Sequence, residues 1–186
     1  MTVNEIFSQI SQHMVEGLMF HSQLSDFFNF LGLKGFSECH KYHYFCENKD
    51  YKDLSEYFML HYNKIVAEGA FKNPNVIPKD WLNYTQQQVD AANKPSFIKA
   101  GLEHWISWEE QTKQLYEQMY LSLWQVGEIA AALAFMKYVT SVDEELAGAR
   151  NHLLYYSSMD FDMSQIMSEQ EELYKDYKKK LKELKL

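Results

Sequence analysis

The chain has 186 residues, of which 46% are apolar and 16% aromatic, with only seven glycines and three prolines. This composition predicts one domain with a packed core and excludes disordered and collagen-like chains. A net charge of −8 argues against a surface built for nucleic-acid phosphates, and no apolar run reaches the roughly 18 residues needed to cross a bilayer. We therefore expect a cytoplasmic protein with neither nucleic acid nor membrane as a partner.

The scarcity of glycine and proline predicts an almost entirely helical chain. Apolar residues recur at spacings of three and four over residues 3–31 and again over 36–67. Gly32 and Gly35 lie between these two stretches and provide a helix stop and a tight turn. The sequence therefore predicts an antiparallel helical hairpin over residues 3–67.

The next segment, residues 68–95, contains several helix-breaking residues, so we expect a long crossover with one short helix over 79–92. Trp81 and Val89 are the side chains of this crossover that we expect to pack on the bundle. A second hairpin over residues 96–158 follows and turns at Gly127. Short turn, long crossover and short turn together predict a four-helix bundle.

The last segment, residues 162–184, has apolar residues at heptad-like spacing and follows the candidate N-cap Asp162. We interpret it as an extra amphipathic helix, which docks on its own bundle or joins two chains. Cys39 and Cys46 are seven residues apart on a predicted helix, a separation of roughly 10 Å that excludes a disulfide between them.

Polar residues interrupt the inward-facing stripes at similar heights in both hairpins. If the hairpins turn at 32–35 and at 127, the numbering places these residues opposite one another: His21 and Glu47, Glu16 and Asp50 or Tyr51, Glu109 or Glu110 and Asp143 or Glu144. Burying several unpaired carboxylates costs a protein several kcal/mol per ion unless a cation compensates them. A hard metal ion held by carboxylates would satisfy this requirement.

The residues of the first hairpin resemble a known family. The turn Gly-Leu-Lys-Gly-Phe at 32–36, with Glu47 eleven residues after Phe36, is similar to the first hairpin of the ferritin-like superfamily, and the crossover sequence Ile-Pro-Lys-Asp-Trp resembles the ferritin connection. That superfamily binds two metal ions with a glutamate from each of two helices and a Glu-x-x-His motif from each of the other two.

The resemblance implies an all-α, ferritin-like four-helix bundle with a long crossover and an additional C-terminal helix. It implies iron, as a di-iron centre, or manganese as the metal, oxidation of Fe(II) as an activity, and a homo-oligomer. Carried over by spacing, it places the metal ligands at these positions: Glu16, Glu47, Asp50, Glu110 and Glu144.

This sequence departs from the family pattern where the motif histidines are expected, because it has Asp50 and Ala147 there. Periodicity also places Glu109 and Asp143 closer to the centres of their apolar stripes than Glu110 and Glu144, so both registers of the second hairpin stay open. A displaced site would use other ligands: His21, His43, Glu47 and Glu16.

Two further hypotheses stay open for the function. The first is a metal-free ferritin-like bundle that serves as a structural or protein-interaction module through its C-terminal helix. The second is an oxygenase that acts on an organic substrate. The sequence contains no phosphate-binding glycine-rich loop and no nucleophile elbow, which excludes the commonest nucleotide-binding and hydrolase motifs.

Overall fold

A computed structural model describes residues 1–64, 78, 81, 85 and 88–184. The described residues form five α-helices and no strand: α1 Val3–Phe30, α2 Lys34–Tyr62, α3 Lys94–Gln125, α4 Ile129–Ser158 and α5 Met163–Glu183. α1 packs along α2, α3 packs along α4, α1 lies beside α3, and α5 packs on α2. The predicted all-α bundle with an extra C-terminal helix is confirmed.

Local sequence explains where the first two helices begin and end. Thr2 and Glu5 form a reciprocal capping box at the start of α1, in which each side chain bonds the other's backbone N–H. α2 ends at Tyr62, earlier than the predicted residue 67, because Asn63 adopts a left-handed conformation with φ 51° that closes the helix. Half of the predicted helix over 79–92 lies outside the described residues, and the prediction is wrong for residues 89–92, which form a turn region before α3 and no helix.

The first turn occupies residues 31–33, and its position sets the register of the hairpin. Gly35 lies inside α2 and not in the turn, so the two helices fold back about Gly32, whose φ is 77°. As a result, His21 contacts His40, and Glu47 lies against Gly17. The predicted pairing of His21 with Glu47 is therefore displaced by about one helical turn.

The second hairpin turns at the predicted position. Gly127 has a φ of 83° and separates α3 from α4. Trp81 of the crossover stacks on Phe27 with ring centroids 4.1 Å apart, and Val89 packs on the same apolar cluster. The predicted contacts of these two crossover residues with the bundle are confirmed.

The core consists of two separate apolar clusters. One cluster contains side chains from Ile6 to Met14 of α1 and from Ala131 to Val142 of α4. The other contains side chains from Phe20 to Leu31 of α1, together with Trp105, Tyr156 and part of α5. A layer of polar side chains lies between the clusters near the middle of the bundle. This layer positions the candidate site.

α5 is attached to its own bundle by polar and close-packed contacts. The side chain of Gln170 accepts a hydrogen bond from the Phe36 backbone N–H at 2.9 Å and donates one to the Tyr156 hydroxyl at 3.1 Å. Lys178 pairs with the buried Glu38 at 3.2 Å. α5 therefore docks on its own bundle, which is one of the two roles predicted for this helix.

Two other expectations bear on the chain as a whole. Cys39 and Cys46 are both free thiols, as their spacing predicts. Within the described residues, no helix combines the length and the apolar content that a membrane crossing requires.

Replacing Gly35 with alanine should loosen α5. A Cβ at this position would lie 2.6 Å from the Gln170 carbonyl oxygen and 2.7 Å from the Leu173 Cβ, so the backbone of α5 would have to move. Overpacking of this kind costs about 1–3 kcal/mol, which urea denaturation would measure. The matched control is Gly148→Ala on α4, where a Cβ would meet nothing within 4 Å and the helix should be unchanged or slightly stabilised. Equal stability of the two variants would contradict the close approach.

Candidate metal centre

Carboxylates from three helices line one small void in the polar layer. Glu47 and Asp50 come from α2, Glu109 from α3 and Glu145 from α4, and the void has a volume of about 10 Å³. This volume matches a single water-sized sphere. The bundle therefore gathers negative charge around a space for one small occupant.

Glu109 is the most deeply buried of these acids, with 2% of its surface exposed. Its Oε1 accepts a hydrogen bond from the Trp105 indole N–H at 3.0 Å, one turn earlier on α3. The same oxygen lies 3.8 Å from His21 Nε2. Burial, and then the charge of Glu145, hold the pKa of Glu109 well above its usual range.

Glu145 is held by a different set of contacts. Its Oε2 lies 3.0 Å from His43 Nδ1, and the Ser141 hydroxyl donates to its Oε1 at 3.3 Å. Burial acts to raise the pKa of Glu145, but the charge and hydrogen bond of His43, together with His21 and Ser141, lower it overall. Burial likewise acts to lower the pKa of His43, but the charge and hydrogen bond of Glu145, together with Cys39, raise it overall. Glu145 and His43 therefore form an ion pair at neutral pH.

Glu47 and Asp50 carry the rest of the negative charge. The side chain of Glu47 occupies space that Gly17 leaves open, since a Cβ on Gly17 would lie 3.3 Å from the Glu47 carboxyl carbon. Burial and the neighbouring Glu145 hold the pKa of Glu47 well above its usual range, and burial raises the pKa of Asp50 to about 6. Glu47 therefore resists ionisation at neutral pH in the absence of a cation.

α1 contributes a neutral imidazole to the layer. His21 and His40 share a hydrogen bond between their Nδ1 atoms at 3.0 Å, and burial lowers the pKa of His21 to about 3. Among the described residues, the buried Nε2 atoms of both rings have no hydrogen-bond partner. When His21 Nδ1 donates this proton, its Nε2 lone pair is free and faces Glu109.

These groups form a candidate ligand set. His21, Glu109 and Glu145 each offer one atom, and the three atoms lie within 4.8 Å of one another. Neighbouring ligands of an octahedral ion with bonds near 2.1 Å are roughly 3 Å apart, so only a small closure would be needed. The buried hydroxyl of Tyr116 also lines the void and has no hydrogen-bond partner among the described residues. The donors present thus fit a hard divalent cation.

Comparison with known proteins supports the fold. The sequence matches no family model and gives no significant match to a curated protein. The structure is similar to an engineered closed form of the ferritin of Archaeoglobus fulgidus, with a TM-score of 0.74 and 16% identity over 94% of this chain and 96% of that chain. An open-pore ferritin from the same archaeon gives 0.73, with 16% identity over 91% and 93% of the two chains. A humanized archaeal ferritin gives 0.75, with 16% identity over 92% and 94%.

The chain has a ferritin-like fold. At 16% identity, the similarity to these structures establishes the course of the helices and not the ligands of a site. The ligands of this ferritin-like bundle follow from the positions of its own residues.

The structure brings together two of the five residues that spacing predicts as ligands, Glu47 and Asp50. Glu16 lies outside the void with 31% of its side chain exposed, because α1 turns Gly17 toward Glu47 instead. Glu110 and Glu144 are exposed on the bundle surface, where Glu110 forms an ion pair with Arg150. α1 thus supplies no carboxylate to the layer.

The alternative ligands that the sequence left open also fall into two groups, one inside the polar layer and one on the surface. Glu109, His21 and His43 lie in the polar layer, whereas Asp143 is exposed and pairs with Lys113. Glu145 is the functional candidate that the motif carried over from the family missed.

A signal for Glu145 was nevertheless present. It lies three residues after Val142 and four before Ala149, both of which belong to the inward stripe of its helix. Helical spacing alone therefore places Glu145 on the inward face.

Removing one buried charge should stabilise the metal-free protein in a pH-dependent way. A carboxyl group whose pKa is raised by folding destabilises the folded state progressively as pH rises above its unfolded value of 4.5. Glu47→Gln should therefore match the wild type near pH 4 and exceed it by about 1–3 kcal/mol at pH 7. Urea denaturation in the presence of a chelator measures this difference.

The control for this variant is Glu110→Gln, which removes an exposed, ion-paired carboxylate. Its stability should stay within about 0.5 kcal/mol of the wild type at both pH values. A stability difference between Glu47→Gln and the wild type that does not grow with pH would contradict the raised pKa of Glu47.

Proposed function

We propose that the protein binds a hard divalent metal ion, iron or manganese, at mid-height of its ferritin-like bundle. His21, Glu109 and Glu145 would hold the ion, and Glu47 and Asp50 would lie beside it. The observation that carries this proposal is the convergence of four carboxylates on a void of about 10 Å³ between two apolar clusters. A cation in that void would offset the cost of burying these charges, which together with the charge of Glu145 raises the pKa values of Glu47 and Glu109.

We further propose that Fe(II) is the substrate of this centre and is oxidised there by oxygen or peroxide. The structurally similar proteins described above are ferritins, which supports iron as the ion to test first. The surrounding side chains have roles that follow from their positions. Trp105 orients Glu109 through its indole N–H, and His43 orients Glu145 through the contact between His43 Nδ1 and Glu145 Oε2.

A homo-oligomer is part of the same proposal. Large apolar side chains are exposed at the end of the bundle opposite α5, around the turn at Gly127: Leu121, Trp124, Val126, Ile129 and Leu133. Exposed apolar clusters of this kind mark contacts with other chains more often than free surface. The competing hypothesis is interaction through the C-terminal helix. It is disfavoured because the buried face of α5 packs on its own bundle.

Metal titration tests the proposed ligands one by one. Isothermal titration of Mn(II) into the metal-free protein should give a binding site, and Glu109→Gln and Glu145→Gln should each weaken the affinity by about tenfold or more. The thermal midpoint of the wild type should rise with Mn(II) or Fe(II), because the ion binds the folded state.

Two matched controls use neighbouring acids on the same helices. Glu110→Gln and Glu144→Gln remove exposed carboxylates and should leave the Mn(II) affinity unchanged. If these controls lose the metal while Glu109→Gln and Glu145→Gln keep it, the family spacing gives the correct ligands and the proposed set is wrong. Absence of binding in the wild type would favour the metal-free interaction module.

A further inference from the structure

An apolar groove lies on the seam between α2 and α4, next to the acidic void. It has a volume of about 300 Å³ and is lined mainly by aromatic and small side chains: Phe7, Leu54, Tyr57, Ala131, Phe135 and Tyr138. A cavity of this size reaches the lower end of the range of small-molecule sites in proteins.

The groove exists because α4 presents small residues to α2 in this region. Ala131 and Ala134 lie one turn apart on α4 and face the groove. Among the described residues, α2 and α4 also approach each other less closely than the helices within each hairpin. The space left between the two helices is therefore not filled by their own side chains.

The groove and the acidic void share a wall. Tyr138 lines both spaces, and its hydroxyl donates to the backbone carbonyl of Asp50 at 3.4 Å. Along α4, Ala134, Tyr138, Ser141 and Glu145 follow at steps of three and four residues, so they form one continuous edge. A molecule in the groove would therefore lie against the residue that closes the acidic centre.

The size and charge of the groove define its occupant. An engineered cavity of about 150 Å³ holds benzene, so about twice that volume suits a two-ring molecule. At the rim, Lys137 Nζ lies 3.6 Å from Asp53 Oδ2, so the charges at the mouth are already paired. The carboxylates of Asp50 and Glu145 lie beyond Tyr138 and would repel an anion.

We propose that the groove binds a neutral, mostly apolar organic molecule about the size of two fused or linked rings. This activity goes beyond the metal centre, because the groove is formed by α1, α2 and α4 without any metal ligand in its lining. Binding there would place an organic ligand beside the acidic layer, separated from it by one tyrosine ring.

A pair of fluorescent probes that differ by one charge tests the proposal. 1-Naphthylamine is neutral at pH 7, and 1-naphthylamine-5-sulfonate has the same pair of fused rings with an added sulfonate. The full-length chain should bind the neutral probe at one site per chain with a rise in fluorescence. The affinity for the sulfonate should be lower than that for the neutral probe by a factor of about ten or more, because of the carboxylates beyond Tyr138.

Two variants of α4 locate the binding. Ala134 is exposed at the groove, so Ala134→Phe should fill the space without disturbing the core and should abolish saturable binding of the neutral probe. Ala147→Phe makes the same change at an exposed position of the same helix outside the groove and should retain it. Circular dichroism would show that both variants keep the helical content of the parent chain.

Equal probe binding by the two variants, tighter binding of the sulfonate, or no binding by the wild type would each overturn the proposal. A change of mass in light scattering on Ala134→Phe would also overturn it, since a second chain would then be the occupant of the groove. Mn(II) titration of Ala134→Phe keeps the two proposals separate. If Ala134→Phe loses probe binding but keeps the Mn(II) affinity, the result supports the groove. If the wild type binds the probe but no metal, the result refutes only the metal centre.

Discussion

The cost of burying carboxylates close together is the constraint around which the middle of this bundle is organised. Glu47, Glu109 and Glu145 approach one void from three helices, between apolar clusters on both sides. In such surroundings each unpaired charge costs several kcal/mol, and a pKa well above the usual range is the direct consequence for Glu47 and Glu109. Only Glu145 among the three has a histidine ion-pair partner, His43.

The remaining polar contacts of the layer follow from this constraint. Trp105 donates to Glu109, and Gly17 leaves the space that Glu47 occupies. These contacts fix where the acids lie without cancelling their charge. The apolar clusters at both ends of the bundle supply the stability that tolerates such a layer, which is the usual relation between a strained functional site and its scaffold.

The seam between α2 and α4 is covered at one end and open toward the other. At one end α5 lies on α2, with Gln170 bonded to both Phe36 and Tyr156. Toward the other end the seam is open and forms the apolar groove beside Tyr138. The fold thereby places an acidic layer, a closed end and an accessible apolar space along a single helix–helix boundary. The proposed organic molecule and the proposed ion would therefore occupy separate places along one seam.

Helical periodicity and two glycine-marked turns were sufficient to predict the helix class, the two hairpins and the C-terminal helix. The same local information identified Glu47, whose position on its apolar stripe agrees with its place at the void. It also indicated that the inward face of the third helix passes through Glu109. These features depend on residues close together in the chain, so the sequence contains the physical cause of each.

Only the tertiary structure decided which acids face one another. One residue along a helix changes the direction of a side chain by about 100°, so Glu109 and Glu145 turn inward while Glu110 and Glu144 meet solvent. The register of the first hairpin depended on a turn at 31–33, which places Glu47 against Gly17, one helical turn before His21, and places His21 against His40. Helical spacing indicates which face of each helix turns inward, but the register between helices is set by packing of residues distant in the chain, and no local pattern of residues fixes that register.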